Sequence, residues 1–123
     1  MSDKEEGIVS ISIDMKKHRI RIHKATLHLL GDPKYIQILF NPNDILVGLQ
    51  CLETAVPGDL AERVSLQKIR PDCCFEMYSK SLITNIQSVV GLEDGCSYRL
   101  IGHVIASEHI AVFSMKTIQK LDS

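Results

Sequence analysis

Hydrophobic and polar residues alternate with a period of two in the first part of the chain. Between residues 7 and 14 every second residue is valine or isoleucine, and the same period returns between residues 19 and 23. Because successive side chains of a strand point to opposite faces, this period predicts two half-buried strands. On the second strand, Arg19, Arg21 and His23 share the face opposite to the buried isoleucines. The expected buried residues of the two strands are Val9, Ile11, Ile13, Ile20 and Ile22.

A short helix is predicted directly after the second strand. Residues 25–30 are mostly apolar and are followed by Gly31, a residue typical of helix C-termini. The pair Asp32-Pro33 then prevents the helix from continuing, because proline lacks a backbone donor and restricts the residue before it. We therefore expect one or two helical turns at this point.

A β-hairpin is predicted next. Two apolar runs, at residues 35–40 and 45–49, are separated by a segment of asparagine, proline and aspartate at residues 41–44 that is typical of a tight turn. Strands that are so continuously apolar are usually buried on both faces, as at an interface between subunits or half-domains. Gly48 indicates a bulge or a close backbone approach within the second of these strands.

The second half of the chain repeats this order of elements. A strand around Phe75 and Met77 is followed by a helix that begins at Ser79 or Ser81 and ends at Gly91. Leu82, Ile86, Val89 and Val90 lie at helical spacing and are expected to form its buried face. A second hairpin is predicted at residues 98–105 and 110–115. The connector between the halves is expected to begin irregularly and to contain a strand from about residue 64 to Pro71.

These elements predict one compact domain of two similar units. The expected divisions are a disordered tail at residues 1–6, a first unit at 7–50, a connector at 51–72, a second unit at 73–115 and a polar tail at 116–123. A single short helix and a hairpin cannot close a core, so two units must pair, either within one chain or between chains. The expected fold is mainly β with short helices, with two strand–helix–hairpin units interleaved into a barrel-like body.

Charge is balanced overall but uneven locally. The chain carries 14 Lys and Arg against 15 Asp and Glu, which argues against a uniformly basic nucleic-acid binder. One stretch of nine residues, 16–24, nevertheless contains five Lys and Arg and no acid, whereas the second unit, residues 73–115, has only Lys80 and Arg99. Such a stretch either binds phosphates or is a solvated strand face kept soluble by its charge. Its basic residues are Lys16, Lys17, Arg19, Arg21 and Lys24.

No pattern of catalytic or metal-binding residues is present in the sequence. The four cysteines form no C-x-x-C pair, and the first three histidines are spaced by five residues, which suits neither a helical zinc pair nor one face of a strand. A cysteine nucleophile at Cys74 with His103 or His109 is conceivable, but inert thiols are more usual in apolar strands. We therefore expect no enzyme, no metal and no cofactor. Reduced thiols, a polar N-terminus and the lack of an 18-residue apolar run favour a cytoplasmic protein.

The order of motifs resembles the AbrB/SpoVT/MazE-like swapped-hairpin DNA-binding family. Gly7-Ile8-Val9 matches the opening strand of the family, and residues 19–22 match its arginine-hydrophobic strand. Leu30-Gly31 ends the helix at the same spacing, and the hairpin spans residues 35–49. Two such units in one chain resemble MraZ in plan, and residues 92–95 resemble the turn before the last hairpin of the family.

This resemblance implies a small bacterial-type transcription regulator or antitoxin-like protein that binds double-stranded DNA as a homodimer. Arg19 is the residue that matches the DNA-contacting set of the family directly, and Arg21 and Lys24 are added by charge. The alternative is a non-catalytic assembly module of the same fold that binds another protein and no nucleic acid. The candidate DNA-binding residues are Lys16, Lys17, Arg19, Arg21, His23, Lys24 and His28.

Overall fold

The protein is mainly β, with short helices, as the sequence predicts. The computed structural model describes residues 8–54, 62–64 and 74–121. In this part of the chain the helices are α1 (Lys24–Leu29) and α2 (Lys80–Val90). The strands are β1 (Ile8–Asp14), β2 (Arg19–His23), β3 (Tyr35–Asn41), β4 (Leu46–Leu52), β5 (Glu62–Arg63), β6 (Cys74–Tyr78), β7 (Ser97–Ile105), β8 (Ile110–Ser114) and β9 (Gln119–Leu121).

All described strands belong to one antiparallel sheet that curls into a half-barrel. The strand order is β5-β3-β4-β8-β7-β1-β2-β6. The long strand β7 pairs with β1 along one edge, while its other edge is shared by β8 and β9. In the sheet, neighbouring pairs of strands therefore come alternately from the first and the second half of the chain.

Pairing between the halves follows a regular pattern. Strand β2 pairs with β6 in a register centred on Arg21 and Glu76, and β4 pairs with β8 in a register centred on Gly48 and Val112. Consider an exchange of the two halves in which β1 is replaced by β5, β2 by β6, β3 by β7 and β4 by β8, and the reverse. Each of these two pairings then maps onto itself. The β3–β4 pairing then maps onto β7–β8, and β1–β7 maps onto β5–β3. The strand order is thus consistent with an approximate two-fold relation between the halves.

The core lies on the inner face of the curled sheet, beneath the two helices. It combines residues of both halves, since Ile20 and Leu49 are as fully buried as Phe75 and Phe113. Burial of apolar surface from water is the main favourable term in folding. Because each half contributes only part of this surface, the core is complete only when both halves are in place. The largest fully buried side chains are Phe75, Phe113, Ile13, Met15, Ile20, Ile22, Ile36, Leu49, Ile83, Ile86, Leu100 and Met115.

Helix α1 is confirmed as a short helix held at both ends. At its start the Nδ1 atom of His23 accepts a hydrogen bond from the Ala25 amide at 3.0 Å. The buried Thr26 side chain donates to the Ser10 carbonyl at 3.2 Å, which ties the helix to β1. At its end Gly31 adopts a φ of 85°, a left-handed conformation that glycine accepts without steric cost.

Helix α2 is confirmed in position, and its predicted buried face is confirmed in part. Ile86 is fully buried and Leu82 and Val90 pack partly buried against the core, whereas Val89 is 42% exposed. Ile83, which the spacing does not include, is also fully buried, and it lies three residues before Ile86 on the same face. Ser79 occupies the N-cap position, although its side chain makes no capping hydrogen bond, and Gly91 ends the helix with a φ of 85°.

Several boundaries differ from the sequence prediction. Strand β4 continues to Leu52, three residues further than predicted. A two-residue strand at Glu62–Arg63 precedes the strand predicted from about residue 64, residue 64 itself is not in a strand, and the remainder of that prediction, residues 65–71, lies outside the described residues. The segment after Met115, predicted to be a polar tail, forms a 3-10 turn and then β9, which pairs with β7. The sheet pairing of Gln119–Leu121 explains this, because backbone hydrogen bonds do not require an apolar sequence.

Two strand glycines differ in how closely a neighbouring strand approaches them. A Cβ atom added at Gly102 would lie 2.1 Å from the Val112 carbonyl oxygen, so only glycine fits where β7 passes β8. At Gly48 the nearest atom to such a Cβ would be the Ile110 Cδ1 methyl at 3.2 Å. The bulge or close backbone approach predicted at Gly48 is therefore not observed, because the nearest atoms belong to side chains of Ile110 and Leu39 and β4 pairs with β3 and β8 in unbroken register.

We expect Gly102→Ala to destabilise the protein by about 1–3 kcal/mol, because the new methyl group collides with backbone that cannot rotate away. Gly48→Ala, the matched control, should cost less or nothing. Urea unfolding of both variants followed by circular dichroism measures the difference. Equal stabilities of the two variants would contradict the close passage of β7 and β8.

Candidate nucleic-acid interface

The seven candidate residues lie along one hairpin and the helix that follows it. Lys16 and Lys17 are exposed in the β1–β2 turn. Arg19, Arg21 and His23 project from the outer face of β2, since Ile20 and Ile22 occupy its inner face. The remaining two candidates, Lys24 and His28, are exposed on α1. Folding therefore places five of the seven on the β1–β2 hairpin and the other two on α1, which follows β2 directly.

Asp14 fixes the turn that presents the two lysines. One of its carboxylate oxygens accepts hydrogen bonds from the backbone amides of Lys16 at 2.8 Å and Lys17 at 3.3 Å. Its other oxygen accepts from the Arg19 Nε atom at 2.9 Å. Aspartate commonly stabilises turns by bonding backbone amides two and three residues further on. The sequence therefore builds the turn and orients the first arginine with one carboxylate.

Glu76 on the neighbouring strand β6 holds both arginines. Its Oε2 atom bonds to the Arg19 guanidinium and lies 3.2 Å from the Arg21 Nε atom. Its Oε1 atom accepts a hydrogen bond from the Tyr78 hydroxyl at 2.9 Å. The Glu76 side chain is only 5% exposed, against 13% for Arg19 and 26% for Arg21. We call Asp14, Arg19, Arg21, Glu76 and Tyr78 the arginine cluster.

The arginine cluster alters the electrostatics that the sequence predicts. The charges of Arg19 and Arg21 are largely compensated, because each lies against a carboxylate with little access to water. The exposed positive charge then comes from Lys16, Lys17 and Lys24. Arg99 adds to it, because Arg99 is exposed on β7 opposite Ser12, and Ser12 in turn lies opposite Arg21. Lys16, Lys17, Arg19, Arg21 and Arg99 thus share the β1–β2 hairpin and its neighbouring strands with two carboxylates, and Lys24 follows on α1.

The two histidines of this surface have local partners. The hydrogen bond from the Ala25 amide requires His23 to carry its proton on Nε2 when the ring is neutral. The Nδ1 atom of His28 lies 2.8 Å from the Asp32 carboxylate, and both side chains are more than half exposed. Each ring therefore keeps its Nε2 atom for solvent or a ligand.

The described cysteines are reduced thiols. Cys51, Cys74 and Cys96 are all partly buried and none is in a disulfide. Burial, with a smaller effect from the charge of Glu53, raises the pKa of the Cys51 thiol to about 11. A thiol with this pKa is almost entirely protonated at neutral pH and is therefore a weak nucleophile. Within the described residues, no three His, Cys, Asp or Glu side chains are arranged to hold a metal ion.

Comparison of the chain with family models, curated proteins and solved structures finds no match. Neither α1 nor α2 is long and apolar enough to cross a bilayer, and this holds for every helix in the described ranges. The site must therefore be interpreted from its own geometry.

Sequence reasoning missed the acidic partners of the two arginines. Alternation along residues 74–78 places Glu76 outward, since Phe75 and Met77 are buried, and this could be inferred from the sequence. The pairing of β2 with β6 could not be inferred, because it joins residues that are more than fifty positions apart. Without knowledge of this register, the sequence provides no sign that Glu76 lies beside Arg19 and Arg21 on the solvent-facing side of the sheet.

We expect Glu76→Gln to lower the free energy of unfolding by about 1–3 kcal/mol, because two poorly hydrated guanidinium groups lose their shared carboxylate. Glu93→Gln is the matched control, since Glu93 pairs with Lys120 at the surface, and its stability should be nearly unchanged. Urea unfolding at pH 7 measures both. Equal effects would show that Glu76 does not stabilise the fold.

A pH effect follows from Asp14. Burial alone would raise the pKa of this carboxyl group, but hydrogen bonds from the Lys16 amide, the Arg19 side chain and the Lys17 amide, with the charge of Arg19, hold it below its ordinary value. A carboxyl with a lowered folded pKa stabilises the protein above its unfolded pKa, and this contribution is lost as the pH falls through the folded value.

The stability difference between the wild type and Asp14→Asn should therefore be largest above about pH 5 and should shrink towards pH 2. Urea unfolding at a series of pH values, at constant ionic strength, measures this difference. A difference that is the same at every pH would mean that the ionised form of Asp14 is not preferentially stabilised in the folded state.

Proposed function

We propose that this chain is a non-catalytic DNA-binding protein that lays a duplex across the outer face of β7, β1, β2 and β6. The observation that carries the proposal is the excess of basic over acidic side chains on this surface, with Lys16, Lys17, Lys24 and Arg99 exposed. Clustered lysine and arginine side chains bind the phosphate backbone and release its counterions. The near-neutral charge of the whole chain limits this attraction to one surface.

The strand order supports the swapped-hairpin resemblance. Four of the antiparallel pairings are related by exchange of the two halves, and two more, β2–β6 and β4–β8, join equivalent strands. The spacing agrees too, since β1 begins eleven residues before β2 and β5 begins twelve residues before β6. Under this proposal one chain contains both interleaved units, the second unit begins near β5, and a homodimer serves to double the basic surface.

The proposal gives the lysines and arginines different roles. Lys16, Lys17 and Lys24 supply mobile ammonium groups for phosphates, and Arg99 adds a guanidinium beside them. Arg19 and Arg21 hold the strand surface together, because Arg19 is hydrogen-bonded to Asp14 and both guanidinium groups form ion pairs with Glu76. Contacts to phosphates fix position without reading sequence, so binding should depend strongly on salt and weakly on base sequence.

A second candidate function is assembly with other proteins, and two observations favour it. The acids of the arginine cluster reduce the charge available for DNA. Apolar side chains are also exposed on the outer face of the same sheet, with Ile8 at 77%, Ile101 at 41% and Leu39 at 41%. Under this candidate a second copy of the chain covers these side chains and the basic residues only keep the hairpin soluble. Free, partly buried thiols suit a cytoplasmic setting for either function.

The DNA proposal is tested by fluorescence anisotropy with a labelled duplex between about 50 and 200 mM salt, a range over which phosphate contacts weaken strongly. We expect a steep decrease of affinity with salt. The double variant Lys16→Gln, Lys17→Gln should bind more weakly and should reduce the slope of log K against log salt by up to about 2, because each lost phosphate contact reduces it by about 0.9. The arginines are unsuitable first targets, since their removal also breaks the arginine cluster.

The matched control is Lys34→Gln, Lys116→Gln, which removes the same charge from two exposed lysines outside the basic stretch. This variant should bind as the wild type does. Equal losses in both double variants, or weak binding that does not change with salt, would contradict the DNA proposal. Light scattering on the wild type and Ile101→Asp then tests assembly, which predicts a dimer that the substitution dissociates and, unlike the DNA proposal, no salt-dependent binding of the duplex by either protein.

A further inference from the structure

A cleft of about 360 Å³ lies between α1 and the start of β3. Residues of α1 form one wall of the cleft. The loop between α1 and β3, together with Val64, forms the other wall. The loop is held by a hydrogen bond from the Asp32 amide to the Leu27 carbonyl at 2.9 Å, and Val64 is held by its amide, which donates to the Lys34 carbonyl at 2.8 Å. The described lining residues are Lys24, Leu27, His28, Asp32, Pro33, Lys34 and Val64.

The base of the cleft is apolar. Leu27 is 2% exposed and Pro33 is buried, while Val64 is partly buried beside Lys34. Clefts of 300–1,000 Å³ with a mainly apolar lining and a few polar groups are typical of small-molecule sites. The cleft is large enough for a small organic molecule and offers it a surface that excludes water.

The rim of the cleft is basic. Lys24 and Lys34 are exposed, so their ammonium groups are available to a ligand at the opening. The carboxylate of Asp32 is 2.8 Å from the His28 imidazole, so the one acidic residue among the described lining residues already has a partner. A ligand that fits both features combines an apolar body with a negatively charged end.

We propose that this cleft binds a small amphiphile that carries one carboxylate, with its apolar part against Leu27, Pro33 and Val64 and its carboxylate near Lys24 and Lys34. Burial of the apolar part supplies most of the affinity, because each CH₂ group that leaves water contributes favourably. The ammonium groups select the sign of the charged end. This site shares Lys24 with the proposed DNA function, whereas Lys34, Leu27, Pro33 and Val64 are not among its phosphate-binding residues.

The test is a titration of the ¹⁵N-labelled full chain with octanoate, followed by amide chemical shifts. We expect saturable shifts at Leu27, His28, Lys34 and Val64 and none in the β1–β2 turn. Octylammonium, which has the same chain and the opposite charge, should bind at least several-fold more weakly. Lys34→Gln should weaken octanoate binding by about threefold, as expected for one exposed ion pair, and Lys116→Gln should leave it unchanged.

Val64→Asp should abolish octanoate binding, because it replaces apolar surface with negative charge. The same spectra show whether this variant is folded. Equal binding of octanoate and octylammonium, shifts that map elsewhere, or equal affinities of Lys34→Gln and Lys116→Gln would overturn the proposal. DNA binding measured on Lys34→Gln separates the two functions, because loss of octanoate binding with unchanged DNA affinity leaves the DNA proposal intact.

Discussion

Pairing between strands from opposite halves of the chain is the constraint on which the rest of this structure depends. The pairs β1–β7, β2–β6 and β4–β8 each join one half to the other, so neither half has a sheet of its own that closes over a core. Ile20 and Leu49 from the first half share the core with Phe75 and Phe113 from the second. The short α1 is stable in this setting because its buried face packs on β1 and β2, since an isolated helix of six residues is not stable in water.

The same pairing determines what the basic stretch can do. Because β6 lies next to β2, the Glu76 side chain contacts both Arg19 and Arg21. A stretch without acids in the sequence therefore becomes, in the folded protein, a cluster of two acids and two arginines with lysines around it. In a fully symmetric arrangement of two basic units, the residue opposite Arg21 would be a second arginine. Here it is an acid, so the centre of the surface is rigid and nearly neutral and its positive charge is displaced to Lys16, Lys17, Lys24 and Arg99.

Most elements of the fold could be predicted from the sequence, because they depend on local patterns. Strand β2 has the predicted bounds, and the turn at residues 41–44 is stabilised as its composition suggests, with the Asn41 side chain accepting from the Asn43 amide at 3.0 Å. What could not be predicted depends on distant pairing. Strand β9 is recognisable only beside β7, and the role of Glu76 only beside β2. The cleft beside α1 also escaped prediction, because its lining residues become neighbours only when Val64 meets the loop that precedes β3.

The most direct test of this account is a nuclear Overhauser measurement of backbone proton distances in the folded, isotope-labelled chain. The account predicts cross-peaks between Arg21 and Glu76 on β2 and β6, and between Gly48 and Val112 on β4 and β8. Cross-peaks confined to strands within the same half, with none across these two pairs, would contradict the interleaved sheet and with it the arginine cluster.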